Sequence, residues 1–94
     1  MEKLTNKQIA TAEKIINQLD IGIQVCLNAT IECEAKEYEA KREDGRSYHA
    51  GTKNGVLHTI FILNMINSEE KKLLNDYYEE KLWQLITAMK HKTA

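Results

Sequence analysis

The chain has 94 residues, of which 43% are hydrophobic and 29% are charged, a composition typical of one folded domain and not of a disordered segment. Lysine and arginine number 13 and aspartate and glutamate 14, so the near-zero net charge argues against a general affinity for nucleic acid or acidic membranes. No apolar run approaches the ~20 residues of a membrane span. The first residues are polar, unlike a signal peptide, and we therefore expect a cytoplasmic protein.

The N-terminal part of the chain is predicted to form one long helix, from about residue 5 to residue 43. Thr5 and Gln8 have the spacing of a capping box, in which each side chain accepts a hydrogen bond from the other residue's backbone. Behind it, mostly apolar residues recur at alternating intervals of three and four, as in a coiled coil. The seam that we expect in the core or in an oligomer contact contains Ile9, Ile16, Leu19, Ile23, Cys26 and Cys33.

The middle of the chain contains a cluster of glycines. Gly45, Gly51 and Gly55 fall within eleven residues, and the chain has no proline. Because glycine is unfavourable inside helices and common in turns, this cluster predicts a loop over about residues 44–54. The loop would join the long first helix to a second arm of similar length.

The second arm is predicted to be helical from about residue 55 to residue 91. Its first part, residues 56–66, is apolar on nearly every side and rich in β-branched residues, so a buried strand is the alternative. Asn67 or Ser68 is expected to cap a further helix, with acidic residues in its first turn, so the arm is broken near Ser68. The predicted fold class is all-α, a long helical hairpin in a single domain over residues 1–94.

Self-association is predicted from the width of the apolar faces. Both arms carry more apolar positions than one helix–helix seam can cover, which favours a homodimer or a larger helical bundle. Cys26 and Cys33 would lie ~10 Å apart along a helix, too far to form a disulfide with each other. We therefore expect free thiols and a reducing compartment.

Four basic residues lie in and beside the predicted loop: Arg42, Arg46, His49 and Lys53. Arginine can bind a phosphate through two hydrogen bonds, and a glycine-rich backbone can turn its amides toward an anion. A site for a nucleotide, a nucleic-acid phosphate or another phosphate-bearing ligand is therefore one hypothesis, and a solvated loop is its alternative. No nucleotide-binding motif accompanies these residues.

The sequence has no evident pattern of catalytic, metal-ligating or cofactor-binding residues, and we expect a protein that is not an enzyme and needs no metal or cofactor. Tyr77 and Trp83 lie off the centre of the apolar stripe of the last predicted helix, and they are candidates for contact with a protein partner. The predicted function is that of a homo-oligomeric interaction protein, a small regulator, inhibitor or adaptor. Binding of a phosphate-bearing ligand is the alternative.

Overall fold

The computed structural model describes residues 3–93, with side chains through residue 90, and over this range it contains four α-helices and no strand. They are α1 (Asn6–Asn17), α2 (Ile21–Glu39), α3 (Glu43–Ile62) and α4 (Ser68–Thr93). The all-α fold class is therefore confirmed, and residues 56–62 are helical instead of forming a strand. Within the described range, no helix is both long and apolar enough to cross a membrane.

The predicted single helix over residues 5–43 is wrong, because it is divided between α1 and α2. The start of α1 is as predicted: Gln8 N donates to Thr5 Oγ1 at 3.1 Å, and Thr5 N donates to Gln8 Oε1 at 2.8 Å. The division is made by Asp20, whose carboxylate accepts the Gly22 backbone N–H at 2.8 Å and so caps α2. One capping aspartate inside a regular apolar repeat is a weaker sequence signal than the repeat itself.

The predicted loop over residues 44–54 is also wrong, since this segment forms the first half of α3 and the chain turns at residues 40–42. Lys41 adopts the left-handed conformation, with a φ of 60°, and reverses the chain without a glycine. Glu43 and Asp44 follow in the first turn of α3, where the helix dipole favours acidic side chains. Packing against α2 and α4 stabilises the helix and outweighs the low helix propensity of its glycines.

Gly51 and Gly55 allow a direct test that this segment is helical. A Cβ atom built on either glycine meets nothing within 4 Å beyond its chain neighbours and the backbone of its own helix. Replacement by alanine should raise the free energy of unfolding by about 0.5–1 kcal/mol per site, the difference in helix propensity between the two residues. Chemical denaturation of Gly51→Ala and Gly55→Ala measures this. Gly45→Ala is the matched control and should bring no gain, because its Cβ would lie 2.5 Å from Glu37 Cδ.

The break predicted near Ser68 is present, where α4 begins. α3 ends at Ile62, and Asn64 takes the left-handed conformation with a φ of 60°. Asn67 and Glu70 then form a capping box: Glu70 N donates to Asn67 Oδ1 at 2.8 Å, and Asn67 N donates to Glu70 Oε1 at 2.9 Å. The local chemistry of these residues is sufficient to end one helix and start the next.

α4 lies at the centre of the packing, with contacts to each of the other three helices. The short connection between α2 and α3 makes them antiparallel neighbours. The start of α4 lies beside the end of α3, where Lys71 Nζ is 3.1 Å from His58 Nδ1. Farther along, Lys53 of α3 donates to Glu79 of α4 at 3.1 Å, so these two helices are also antiparallel.

The core is one cluster of buried side chains contributed by all four helices and their connections. Its members are Ala12, Ile16, Leu19, Leu27, Ile31, Ala35, Leu57, Ile60, Ile66, Leu74, Tyr78, Leu82 and Ile86. The longest dimension of the molecule is 41 Å, shorter than the ~57 Å that the predicted first helix alone would span. The two-armed hairpin is thus replaced by four shorter helices packed side by side.

Candidate functional site

The structure places the four residues of the phosphate hypothesis along one helix instead of in a loop. Arg42 immediately precedes α3, and Arg46, His49 and Lys53 follow at intervals of three or four residues, which puts them on one side of the helix. Arg42 is exposed, Arg46 and His49 are partly buried, and Lys53 is buried. The stripe therefore runs from the surface into the interface that α3 makes with α2 and α4.

Lys53 is the inner end of this stripe, with only 2% of its surface exposed, and its Nζ donates to Glu79 Oε1 at 3.1 Å. Glu34 of α2 belongs to the same cluster; it is 4% exposed, and its Oε1 has no hydrogen-bond partner among the described residues. Burial raises the pKa of the Glu34 carboxyl, and the negative charge of Glu79 adds to that rise. The positive charges of Lys53, Arg46 and His49 oppose it. The charged side chains of this cluster therefore interact with one another inside the fold.

Arg42 and Arg46 line an open groove of about 1140 Å³ beside the turn between α2 and α3. Arg42 is ion-paired with Glu37, and the Cζ of Arg46 lies 4.6 Å from the centroid of the Tyr38 ring. The groove also contains the acidic side chains of Glu37, Glu39, Glu43 and Asp44. Because carboxylates surround the arginines and one arginine is already paired, the geometry gives a phosphate site little support.

Tyr77 and Trp83, the predicted partner contacts, do not form one surface. They are six residues apart on α4, which turns their side chains roughly 120° apart around the helix. The Tyr77 hydroxyl donates to Glu13 of α1 at 3.4 Å, and burial, followed by the charge and hydrogen bond of Glu13, raises its pKa. Trp83 is 41% exposed and packs edge-to-face on Tyr38, with ring centroids 5.3 Å apart. Only Trp83 presents a large part of its ring to solvent.

The predicted apolar seam is divided between the core and the surface. Its buried or partly buried members are Ile9, Ile16, Leu19 and Ile23. Cys26 and Cys33 are exposed and carry free thiols, so of the two places predicted for the seam, the core or an oligomer contact, the core is wrong for these two residues. Because Asp20 starts a new helix, the rotation of α2 is set independently of α1, and the repeat does not continue on the buried face. That face of α2 contains Leu27, Thr30, Ile31, Glu34 and Ala35.

Exposed apolar side chains gather at the end of the molecule where α3 turns into α4. Ile62, Leu63 and Met65 lie within four consecutive residues and expose 61%, 64% and 46% of their surface. α2 begins at the same end, because it is antiparallel to α3, and it adds Ile21, which is 70% exposed. We call these four residues the apolar end. Single exposed apolar residues are ordinary on protein surfaces, whereas large apolar side chains exposed at the same end of a molecule are less common.

Sequence reasoning assigned this surface to the interior. Residues 56–66 are apolar on nearly every side, and such a segment has no periodicity that distinguishes its inner from its outer positions. The available signal was the neighbouring Asn67 cap, because a turn just before it must come to the surface with the side chains that it contains. Ile66 is the exception, since it is buried and joins the turn to the core.

The positions of the side chains offer no preformed metal site: over the described residues, no three histidine, cysteine, aspartate or glutamate side chains are grouped closely enough to hold a metal ion. Two surfaces with exposed apolar side chains remain as candidates for a functional contact. They are the apolar end and the outer side of α2, which faces away from the core. Comparison of the chain with protein-family models, with curated proteins and with solved structures gives no match.

Proposed function

We propose that this chain is a non-catalytic, homo-oligomeric interaction protein that acts in the cytoplasm by binding another protein through the apolar end. The observation that carries the proposal is the exposure of Ile62, Leu63 and Met65 in a single turn, with Ile21 at the same end of the molecule. Burying one such side chain contributes about 1–2 kcal/mol, since each is only partly exposed beforehand. A partner that covers the four residues therefore gains several kcal/mol toward the cost of association.

The partner segment that fits this surface is an amphipathic helix. Strand addition requires an unpaired strand edge, and the described residues contain no strand. A helix instead presents apolar side chains at intervals of three and four residues, which matches a compact apolar patch between helix ends. Met65 adds an unbranched and polarizable side chain that adapts to the shape of a partner. A small regulator, inhibitor or adaptor would use such a contact.

Binding of a phosphate-bearing ligand is less well supported by the positions of the basic residues. Lys53 is buried and forms an ion pair with Glu79, and Arg42 forms an ion pair with Glu37. A phosphate would therefore have to displace carboxylates that already neutralise these cations. The geometry therefore favours the interaction with a protein.

Leu63→Glu tests the proposal because it places a charge in the centre of the apolar end and changes a side chain that is already exposed. The full chain is immobilised, incubated with an extract of its source cells, and the proteins retained are identified by mass spectrometry. A protein retained through the apolar end should be lost with Leu63→Glu. Titration of the purified partner should then give a dissociation constant at least about thirtyfold weaker for the variant, as for a hot-spot residue.

Lys72→Glu is the matched control, since Lys72 is exposed on α4 and lies outside the apolar end. This variant introduces the same side chain and should bind the partner as the wild-type chain does. Equal binding by the wild-type chain and by Leu63→Glu, or loss of binding with Lys72→Glu as well, would contradict the proposal.

A further inference from the structure

The outer side of α2 is a second surface, separate from the apolar end. Its first three turns carry no charge; beyond them Glu32 is exposed one helical turn before Lys36, on the flank away from the cysteines. Val25, Cys26, Ala29 and Cys33 are exposed there, and residues 21–31 include no charged side chain. The opposite side of the helix is buried in the core, so α2 is uncharged both inside and outside over this length. We propose that this outer face binds the same face of a second copy, with the two α2 helices antiparallel and Ala29 at the two-fold axis. This inference deepens the homo-oligomeric part of the proposed function and rests on it.

The charges at the two ends of this face are complementary to each other. Gly22 lies seven residues before Ala29 and Lys36 seven residues after it, and all three share one face because seven residues make nearly two helical turns. The Asp20 carboxylate lies beside Gly22, since its Oδ1 would be only 2.9 Å from a Cβ atom on that glycine. In an antiparallel pair centred on Ala29, Lys36 of each copy therefore faces Asp20 of the other copy.

The same symmetry brings the cysteines of the two copies together. Cys26 lies three residues before Ala29 and Cys33 four residues after it, on the same flank of the outer face. A two-fold axis perpendicular to both helices keeps this flank on one side of the contact. Cys26 of each copy then lies opposite Cys33 of the other copy, whereas the two thiols of one copy remain ~10 Å apart.

A parallel pair of α2 helices would give the opposite pattern. Lys36 would face Lys36 and Asp20 would face Asp20, so like charges would repel at both ends. The cysteines would lie on opposite flanks of the contact. The charge and thiol positions thus favour the antiparallel pair, in which one surface patch is its own complement.

Cross-linking of the full chain with diamide, which takes up the two electrons and two protons that each disulfide releases, tests the arrangement. We expect the wild-type chain to give a covalent dimer joined between Cys26 and Cys33. Cys26→Ser alone and Cys33→Ser alone should stay uncross-linked, because like thiols lie ~10 Å apart across the axis. A mixture of the two variants should cross-link again. Cross-linking of either variant by itself at the wild-type yield, or none in the mixture, would overturn the inference.

Light scattering on the reduced chain measures the dimer without a covalent bond. Lys36→Glu replaces two attractive contacts by two repulsive ones, and we expect the dimer dissociation constant to rise about tenfold or more. Lys14→Glu is the matched control, because Lys14 is exposed and also lies in the last turn of its helix. It should leave dimerisation unchanged. A reduced wild-type chain that stays monomeric as its concentration is raised would refute the pairing.

The two proposals fail separately. Leu63→Glu removes the proposed partner contact and should still dimerise, while Lys36→Glu weakens the dimer and should still bind the partner with its apolar end. A monomeric chain that captures its partner through Leu63 would overturn the α2 pairing and the homo-oligomeric part of the proposed function, and it would leave the partner contact at the apolar end standing. A dimer that shows no loss of binding with Leu63→Glu would overturn the apolar end alone.

Discussion

Replacement of Tyr78 by alanine is expected to lower the free energy of unfolding by about 3–5 kcal/mol, the range measured for large buried aromatic side chains. Tyr78 is 1% exposed and lies on α4, the helix that contacts each of the other three. Its removal leaves a cavity in the core cluster, and small domains have only about 5–15 kcal/mol of stability in total. Urea denaturation followed by the fluorescence of Trp83, the one tryptophan, measures the loss.

Tyr48→Ala is the matched control for this prediction, because Tyr48 is 71% exposed and the same atoms are removed. Its loss should stay within about 0.5 kcal/mol. Equal losses for the two tyrosines would contradict the central position of Tyr78. Burial, with a smaller contribution from Tyr77, also raises the pKa of Tyr78 to about 12 from its ordinary value of 10.0. The stability that the protonated Tyr78 hydroxyl contributes is therefore fully present below pH 10. It is lost as the pH rises from 10 through the raised pKa.

Replacement of Lys53 by methionine is expected to lower the free energy of unfolding by about 2–4 kcal/mol at neutral pH, because it leaves carboxylates of the interior without their cation. Methionine preserves most of the side-chain volume, so the loss reports charge and not packing. Lys53 also holds down the pKa of Glu34. Lys72→Met, at an exposed position of α4, is the control and should change stability by less than about 0.5 kcal/mol. Similar losses for both lysines would contradict the prediction.

The pH dependence of this loss identifies the carboxyl involved. The pKa of Glu34 is raised above its ordinary value of 4.5, so the stability that its protonation contributes is present below pH 4.5 and lost as the pH rises through the raised pKa. The loss in Lys53→Met should therefore shrink on acidification. Glu34→Gln should weaken this dependence, because only Glu79 then remains beside the lost cation, and it should restore part of the stability of Lys53→Met. Glu32→Gln, at an exposed position of the same helix, should do neither.

The sequence predicted those features of the fold that depend on a few neighbouring residues. The capping boxes at Thr5 and Asn67 were readable because both partners lie within one helical turn of each other. The helical state of residues 56–62 followed from apolar residues that had no second strand to pair with. The cap at Asp20 is equally local, but it was hidden because the apolar repeat runs across it without interruption.

The candidate sites were predicted less well, since they depend on which helix faces which. Arg42 and Lys53 were placed together in a loop by their nearness in sequence, but α3 carries one to the surface and the other into the interior. Cys26 was assigned to the core or to an oligomer contact because it continues the repeat of α1. The new start of α2 turns this residue outward, away from the core.

What the sequence determined by itself is the all-helical class, the caps that start α1 and α4 and the surplus of apolar surface, because composition, periodicity and short-range hydrogen bonds need no knowledge of the rest of the molecule. The tertiary structure alone decided that a glycine-rich segment is helical, that Lys53 is buried and that Leu63 is exposed. Each of these depends on contacts between residues far apart in the chain, and such contacts outweigh local preferences of about 1 kcal/mol per residue.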